Sequence, residues 1–164
     1  HHGGLAIWGG MFLAALSGFV FTRIKKLSFL ETTDLIVPFL ALAQSIGRIG
    51  CFFNGCCFGI TYKFGIYFPV HNAVLIPTQL ISSFLLLFLF LVLRKRQMKS
   101  HLSGEIFMSY ILYYSIGRFF IEFIRADSPK LFLGLTIFQY FCVVFFLIAL
   151  IVIISLKWKN KLLK

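Results

Sequence analysis

Apolar residues run through this chain in long blocks separated by short polar breaks. Crossing the hydrocarbon core of a bilayer takes about 20 mostly apolar residues. Five blocks approach that length: 5–22, 35–58, 77–93, 104–124 and 132–156. The second is interrupted near its end by Gly47, Gly50 and Gly55, and the fifth is the most uniformly apolar. The pattern predicts an all-α, polytopic membrane bundle of five spans, one transmembrane domain over 1–164, with no internal repeat.

Composition agrees with the pattern. Of the 164 residues 60% are hydrophobic and 13% charged, and phenylalanine alone fills 22 positions. Soluble domains carry about a quarter charged residues. The net charge of +11 would suggest a nucleic-acid surface in a soluble protein, but topology accounts for it here. Arg23, Lys25 and Lys26 follow the first block; Arg94, Lys95, Arg96 and Lys99 follow the third; Lys157, Lys159, Lys161 and Lys164 follow the fifth. The opposite connections hold only Lys63, Arg125 and Lys130. Basic loops stay in the cytoplasm, which predicts a multi-pass protein with a cytoplasmic C-terminus and no nucleic-acid partner.

Arg48 and Arg118 remain, and both lie inside spans. Arg48 stands 14 residues past Asp34 and Arg118 stands 13 past Glu105. At 1.5 Å per residue each is about 20 Å along its helix, so the two share a depth in the outer half. A charge within a span costs about 2.5–3.5 kcal/mol on insertion scales and marks a partner or a guest. Tyr114, Arg118 and Glu122 are spaced i, i+4, i+8 on one helical face. One carboxylate serves two arginines, which leaves a positive charge for an anion. The planar guanidinium fork suits phosphate, and a lipid headgroup brings phosphate to this depth. The segment GRIGCFFNGCCFG at 47–59 follows on. A helix broken by Gly50 and Gly55 is expected to turn backbone donors into a cavity, with Asn54 adding more. Tight helix–helix contact is the alternative use of such glycines.

The cysteines are Cys51, Cys56 and Cys57 together and Cys142 alone. Their spacing matches no zinc template, so no metal site and no cofactor are expected. A metal set of Cys51, Cys56 and Cys57 with His71 is the least favoured reading, after a disulfide from Cys51 to Cys56 or Cys57 and packing as small apolar residues, the commonest expectation. His101 reads as solvated surface, and His1 and His2 carry no role.

The segment GRIGCFFNGCCFG resembles the signature of the prolipoprotein diacylglyceryl transferase family, usually G-R-x-G-N-F-x-N-x-E-x-x-G. Arg48, Gly50, Phe52, Asn54 and Gly59 match it, with Cys51 at the Asn and Cys56 at the Glu. IPTQL at 76–80 resembles H-P-S-Q-L-Y-E through Pro77, Gln79 and Leu80, with Ile76 at the histidine and Ser82 at the glutamate. The Tyr114, Arg118 and Glu122 face resembles Y-x-x-x-R-x-x-x-E, and GGLAIWGG at 3–10 resembles G-G-x-x-x-H-G-G with Trp8 at the histidine. The match runs in order from about residue 3 to 127, with 132–156 as an additional span. The family has further N-terminal helices, which implies that this chain is N-terminally incomplete.

The resemblance implies transfer of a diacylglyceryl group from phosphatidylglycerol to the lipobox cysteine of a prolipoprotein, in the outer half of the bacterial plasma membrane. It implies Arg48, Arg118, Glu122 and Tyr114 as catalytic residues. Arg48, Asn54, Gly50, Gly59, Gln79, Gly9 and Gly10 become lipid-binding residues, and His71 a remote proton acceptor. A non-catalytic phospholipid-binding relative and a transporter with an anion site are the alternatives.

Overall fold

The computed structural model describes residues 3–126, 128, 129 and 131–162, without the side chains of residues 3–8, 11, 132 and 162. His1, His2, Lys130 and Lys164, and the side chain of Trp8, lie outside the described residues. Five helices follow one another: α1 (Gly3–Ile24), α2 (Phe29–Phe53), α3 (Thr78–Gln97), α4 (Glu105–Phe123) and α5 (Ile137–Leu162). A two-stranded antiparallel hairpin, β1 (Thr61–Phe68) and β2 (Ala73–Leu75), joins α2 to α3. By length and composition α2, α3 and α5 suffice to cross a membrane. The fourth helix is diluted by Glu105, Arg118 and Glu122.

Burial runs opposite to that of a soluble protein. Phe84, Phe88, Leu91, Ile151 and many other large apolar side chains are exposed, while Asp34, Ser45, Gln79, Ser83, Glu122 and Gln139 are buried. Apolar surface needs no cover in lipid, whereas polar groups must find partners inside the bundle. This is the signature of a helical membrane protein. It also explains how α5, the most apolar helix, packs mainly on α4 and leaves most of its surface outward.

Polar and small residues bring α2 and α3 together. Ser45 Oγ donates to Ser83 O at 2.8 Å and Ser83 Oγ donates to Ser45 O at 2.9 Å. The apolar core is small and sits toward one end: Val37 and Ala41 of α2, Leu89 and Leu93 of α3, Ile106 and Tyr110 of α4. At that end, which carries the basic connections, the Asp34 carboxylate caps α4. It accepts from Gly104 N at 2.7 Å and Phe107 N at 2.8 Å. Arg96 Nη2 donates to Glu105 Oε1 at 2.7 Å, and Gln97 Nε2 donates to Asp34 O at 2.8 Å.

The opposite end holds the hairpin. Three backbone bonds stitch it down: Gly59 N to Ile76 O, Ile60 N to Ile124 O, and Ala126 N to Phe58 O. A Cβ at Gly59 would stand 2.8 Å from Ile124 O and from Ile76, so the seam closes only with glycine there. This hairpin is absent from the apolar pattern. The second span also differs from expectation, since α2 is continuous through Gly47 and Gly50 and ends at Phe53. Its break falls at Asn54 and Gly55, the latter at φ +69°.

Candidate functional site

An apolar-walled cavity of about 370 Å³ lies among α2, α3 and α4, and both intramembrane arginines line it. Arg48 comes from α2, Ser82 and Leu86 from α3, and Tyr114, Gly117 and Arg118 from α4. The two arginines that residue counting places level with each other line one cavity. Its margin includes Leu85, Phe88, Tyr113 and Ile116, all exposed on the lipid-facing side. The mouth therefore opens sideways, toward where acyl chains lie, and the arginines stand toward the hairpin end.

Arg118 is fixed from three directions. Its Nη2 lies 2.8 Å from Glu122 Oε2, its guanidinium covers the Phe138 ring at 5.4 Å, and its side chain is nearly buried. Glu122 is wholly buried, with Arg125 Nη1 at 3.8 Å from the same oxygen. These contacts are ionic rather than aligned hydrogen bonds, for neither Glu122 oxygen has a hydrogen-bond partner among the described residues. Glu122 is thus committed to two arginines. Arg48 makes no ion pair and no side-chain hydrogen bond among the described residues. Its half-buried guanidinium has no carboxylate among the described residues and lines the cavity together with Arg118.

The remaining candidates divide. Tyr114 lines the cavity and stacks on Tyr110 at 5.6 Å, and Tyr110 is anchored by Oη donating to Gln44 Oε1 at 2.7 Å. Glu122 stands behind Arg118 and does not line the cavity. Gln79 is buried at the start of α3, its Nε2 donating to Cys56 O at 2.7 Å. Gly50 is an ordinary helical residue, and the expected backbone donors behind Arg48 are used locally: Asn54 N donates to Gly50 O and Cys56 N to Cys51 O. Asn54 itself is exposed. Gly59 serves the hairpin seam, and Gly9 and Gly10 stand on open faces of α1. His71 Nε2 donates to Gly55 O at 2.7 Å, which ties the ring to the loop and away from the cavity.

Sequence reading missed two features. Ser82 and Gly117 belong to the cavity wall, and only the resemblance had drawn attention to position 82. The thiols of Cys51, Cys56 and Cys57 converge, with all three sulfurs within 4.8 Å of one another and none in a disulfide. Ligand templates by spacing did not detect them, because the tight turn after α2 folds the pair back on the helix end.

These features define a class: a polytopic helical membrane protein with a cavity among its helices lined by two arginines. The sequence matches the family model for prolipoprotein diacylglyceryl transferase over residues 1–155. It is 41% identical to the phosphatidylglycerol–prolipoprotein diacylglyceryl transferase of Clostridium novyi, across 97% of this chain and 65% of that protein. A second such transferase from Clostridium perfringens is 39% identical over 94% of the chain and 62% of its own length. The Listeria welshimeri transferase is 39% identical over 77% and 50%. The chain belongs to the prolipoprotein diacylglyceryl transferase family. It spans about half to two thirds of the length of these relatives.

Proposed function

We propose that this chain carries the phosphatidylglycerol site and transfer centre of a diacylglyceryl transferase acting on a prolipoprotein cysteine. The observation that carries the reading is Arg48, without an ion pair among the described residues and lining the same cavity as Arg118. The cavity is too small for a whole phospholipid. It takes the headgroup and the upper chains, and the tails leave through the mouth into the bilayer.

In the reaction the acceptor sulfur attacks the glycerol carbon that bears the phosphate. The C–O bond breaks, its electron pair stays on the phosphate oxygen, and the thiol proton goes to an acceptor. A phosphodiester with one negative charge becomes a phosphomonoester with nearly two. Donors placed at that oxygen bind the transition state more tightly than the bound lipid, which is the requirement for catalysis. Arg48 receives the headgroup, and Arg118 is held by Glu122 for the growing charge. Tyr114 is the hydroxyl at the cavity wall. The sideways mouth supports lipid access over a transporter's aqueous path. The charge asymmetry of the connections supports basic loops and C-terminus on the cytoplasmic side of a bacterial inner membrane, with the hairpin outside.

The test is direct transfer. The protein carrying this chain is reconstituted with phosphatidylglycerol and a lipobox peptide, and the diacylglyceryl thioether is sought by mass spectrometry. Product that disappears with Arg48→Ala is the expected result. Undiminished product in that variant would overturn the phosphate role.

A further inference from the structure

The three converging thiols stand outside the reading above. Cys51 lies in the last turn of α2, and Cys56 and Cys57 lie in the loop that follows. Their sulfurs are within 4.8 Å of one another, and all three are half-buried. Sulfurs bound to zinc at about 2.3 Å sit about 4 Å apart, so closing on an ion takes a movement under about 1 Å.

The loop is already held for this. Gln79 Nε2 donates to Cys56 O at 2.7 Å, Thr78 Oγ1 to Cys57 O at 2.6 Å, and His71 Nε2 to Gly55 O at 2.7 Å. Cys57 sits at φ +61°, a backbone state that a non-glycine residue keeps only when its surroundings impose it. A second observation points to a ligand. Gln79 is 1% exposed, and its Oε1 has no hydrogen-bond partner among the described residues. It is a buried acceptor on the same side chain that holds the Cys56 carbonyl.

We propose that Cys51, Cys56 and Cys57 form a trithiolate site for a thiophilic divalent ion such as Zn²⁺, with its fourth position open to an external thiol. Charge selects the valence. Three thiolates leave one net negative charge around a divalent ion and two around a monovalent ion. The external thiolate adds one more in either case, so the divalent ion keeps the site's charge lower. Arg48 lies one turn back along α2. Three protein ligands with one open position is the arrangement of a working zinc site rather than a closed structural one.

The identity of the external thiol rests on the transferase reading; the metal site does not. That thiol is the acceptor cysteine. Coordination displaces its proton, and the bound sulfur attacks the glycerol carbon as the C–O bond to phosphate breaks. The ion keeps its charge throughout, one proton is released per turnover, and the neutral thioether is a weaker ligand than the thiolate it replaces, so it leaves. Thiol activation would then need no histidine at position 8 or 76.

The experiment uses the purified protein in mild detergent under reducing conditions. Zinc is measured by elemental mass spectrometry, and cobalt(II) is substituted to read thiolate ligation from its near-ultraviolet charge-transfer absorption. About one ion per chain is expected, retained in Cys142→Ala and lost at least tenfold (roughly) in Cys56→Ser and in Cys56→Ser/Cys57→Ser. Helical circular dichroism identifies the variants that remain folded. Addition of a lipobox peptide should shift the visible cobalt bands, and a Cys→Ser peptide should not. Free titration of all three thiols with no cobalt–thiolate band overturns the site. So does the disappearance of two thiols into a disulfide. A bound ion whose bands ignore the peptide overturns the open position, as does full thioether production by metal-free protein. A metal site that binds the peptide thiol in a protein that makes no thioether from phosphatidylglycerol would sink the transferase reading and leave the site standing.

Discussion

The two ends of the bundle handle charge in opposite ways. At the basic end each buried charge has its answer. Asp34 takes the first amides of α4, Glu105 takes Arg96 and the Leu102 amide at 3.0 Å, and Gln97 bridges to the α2 backbone. At the hairpin end, among the described residues, Arg118 and Arg125 share Glu122 while Arg48 has no carboxylate, the Gln79 amide oxygen is buried without a hydrogen-bond partner, and three thiols crowd together. The apolar core lies near the satisfied end, and the cavity opens among the unsatisfied groups. Unmet electrostatic demand, more than the presence of charge, separates the hairpin end from the basic end among the described residues.

Four substitutions test that contrast, in decreasing order of effect. Arg118→Ala strips the buried Glu122 of its nearest cation. Removing one partner of a buried pair costs about 3–5 kcal/mol, so this variant should lose both transfer and most of its thermal stability in detergent. A protein that melts as wild type would show Glu122 to be otherwise satisfied. Arg48→Ala should behave differently, because no carboxylate among the described residues depends on it. Transfer should fall about 10²–10³-fold, as when one charge-stabilising donor is removed, while the melting temperature holds. A matching drop in stability would make Arg48 part of the scaffold and erase the contrast.

Asp34→Ala reverses the pattern at the other end. Two buried amides lose their acceptor, at about 1–3 kcal/mol. Folded yield should drop while turnover per folded molecule stays the same; reduced turnover would tie the basic end to the site. Smallest is Ser83→Ala, which deletes one interhelical hydrogen bond at about 1 kcal/mol and should shift melting slightly with transfer intact.

Much of this was legible in the chain itself. Five apolar blocks became five helices, of which α2, α3 and α5 are long and apolar enough to cross a membrane. The shared depth of Arg48 and Arg118 followed from counting residues along helices of known rise. Less legible were features made by distant contacts. The hairpin carries an aromatic-rich stretch, TYKFGIYF, that blends into the apolar background. Its seam depends on Gly59 meeting Ile76 and Ile124, 17 and 65 positions away. The glycines were read as one break in α2, yet Gly50 is helical and only Gly55 takes the left-handed turn. Helical glycine and turning glycine look alike until the chain closes around them. The thiol cluster failed spacing templates for the same reason.

The cap that Asp34 places on α4 bears on how the protein is made. A ribosome delivers α2 to the membrane some 70 residues before Gly104 and Phe107 emerge, so for that interval the carboxylate has no amides to hold. The basic end cannot lock until the turn before α4 has been synthesised and returned to the same face of the membrane. Biogenesis thus acquires a checkpoint: α2 and α3 can associate early through Ser45 and Ser83, but the cavity between them and α4 is finished only when residues 104–107 arrive to claim Asp34.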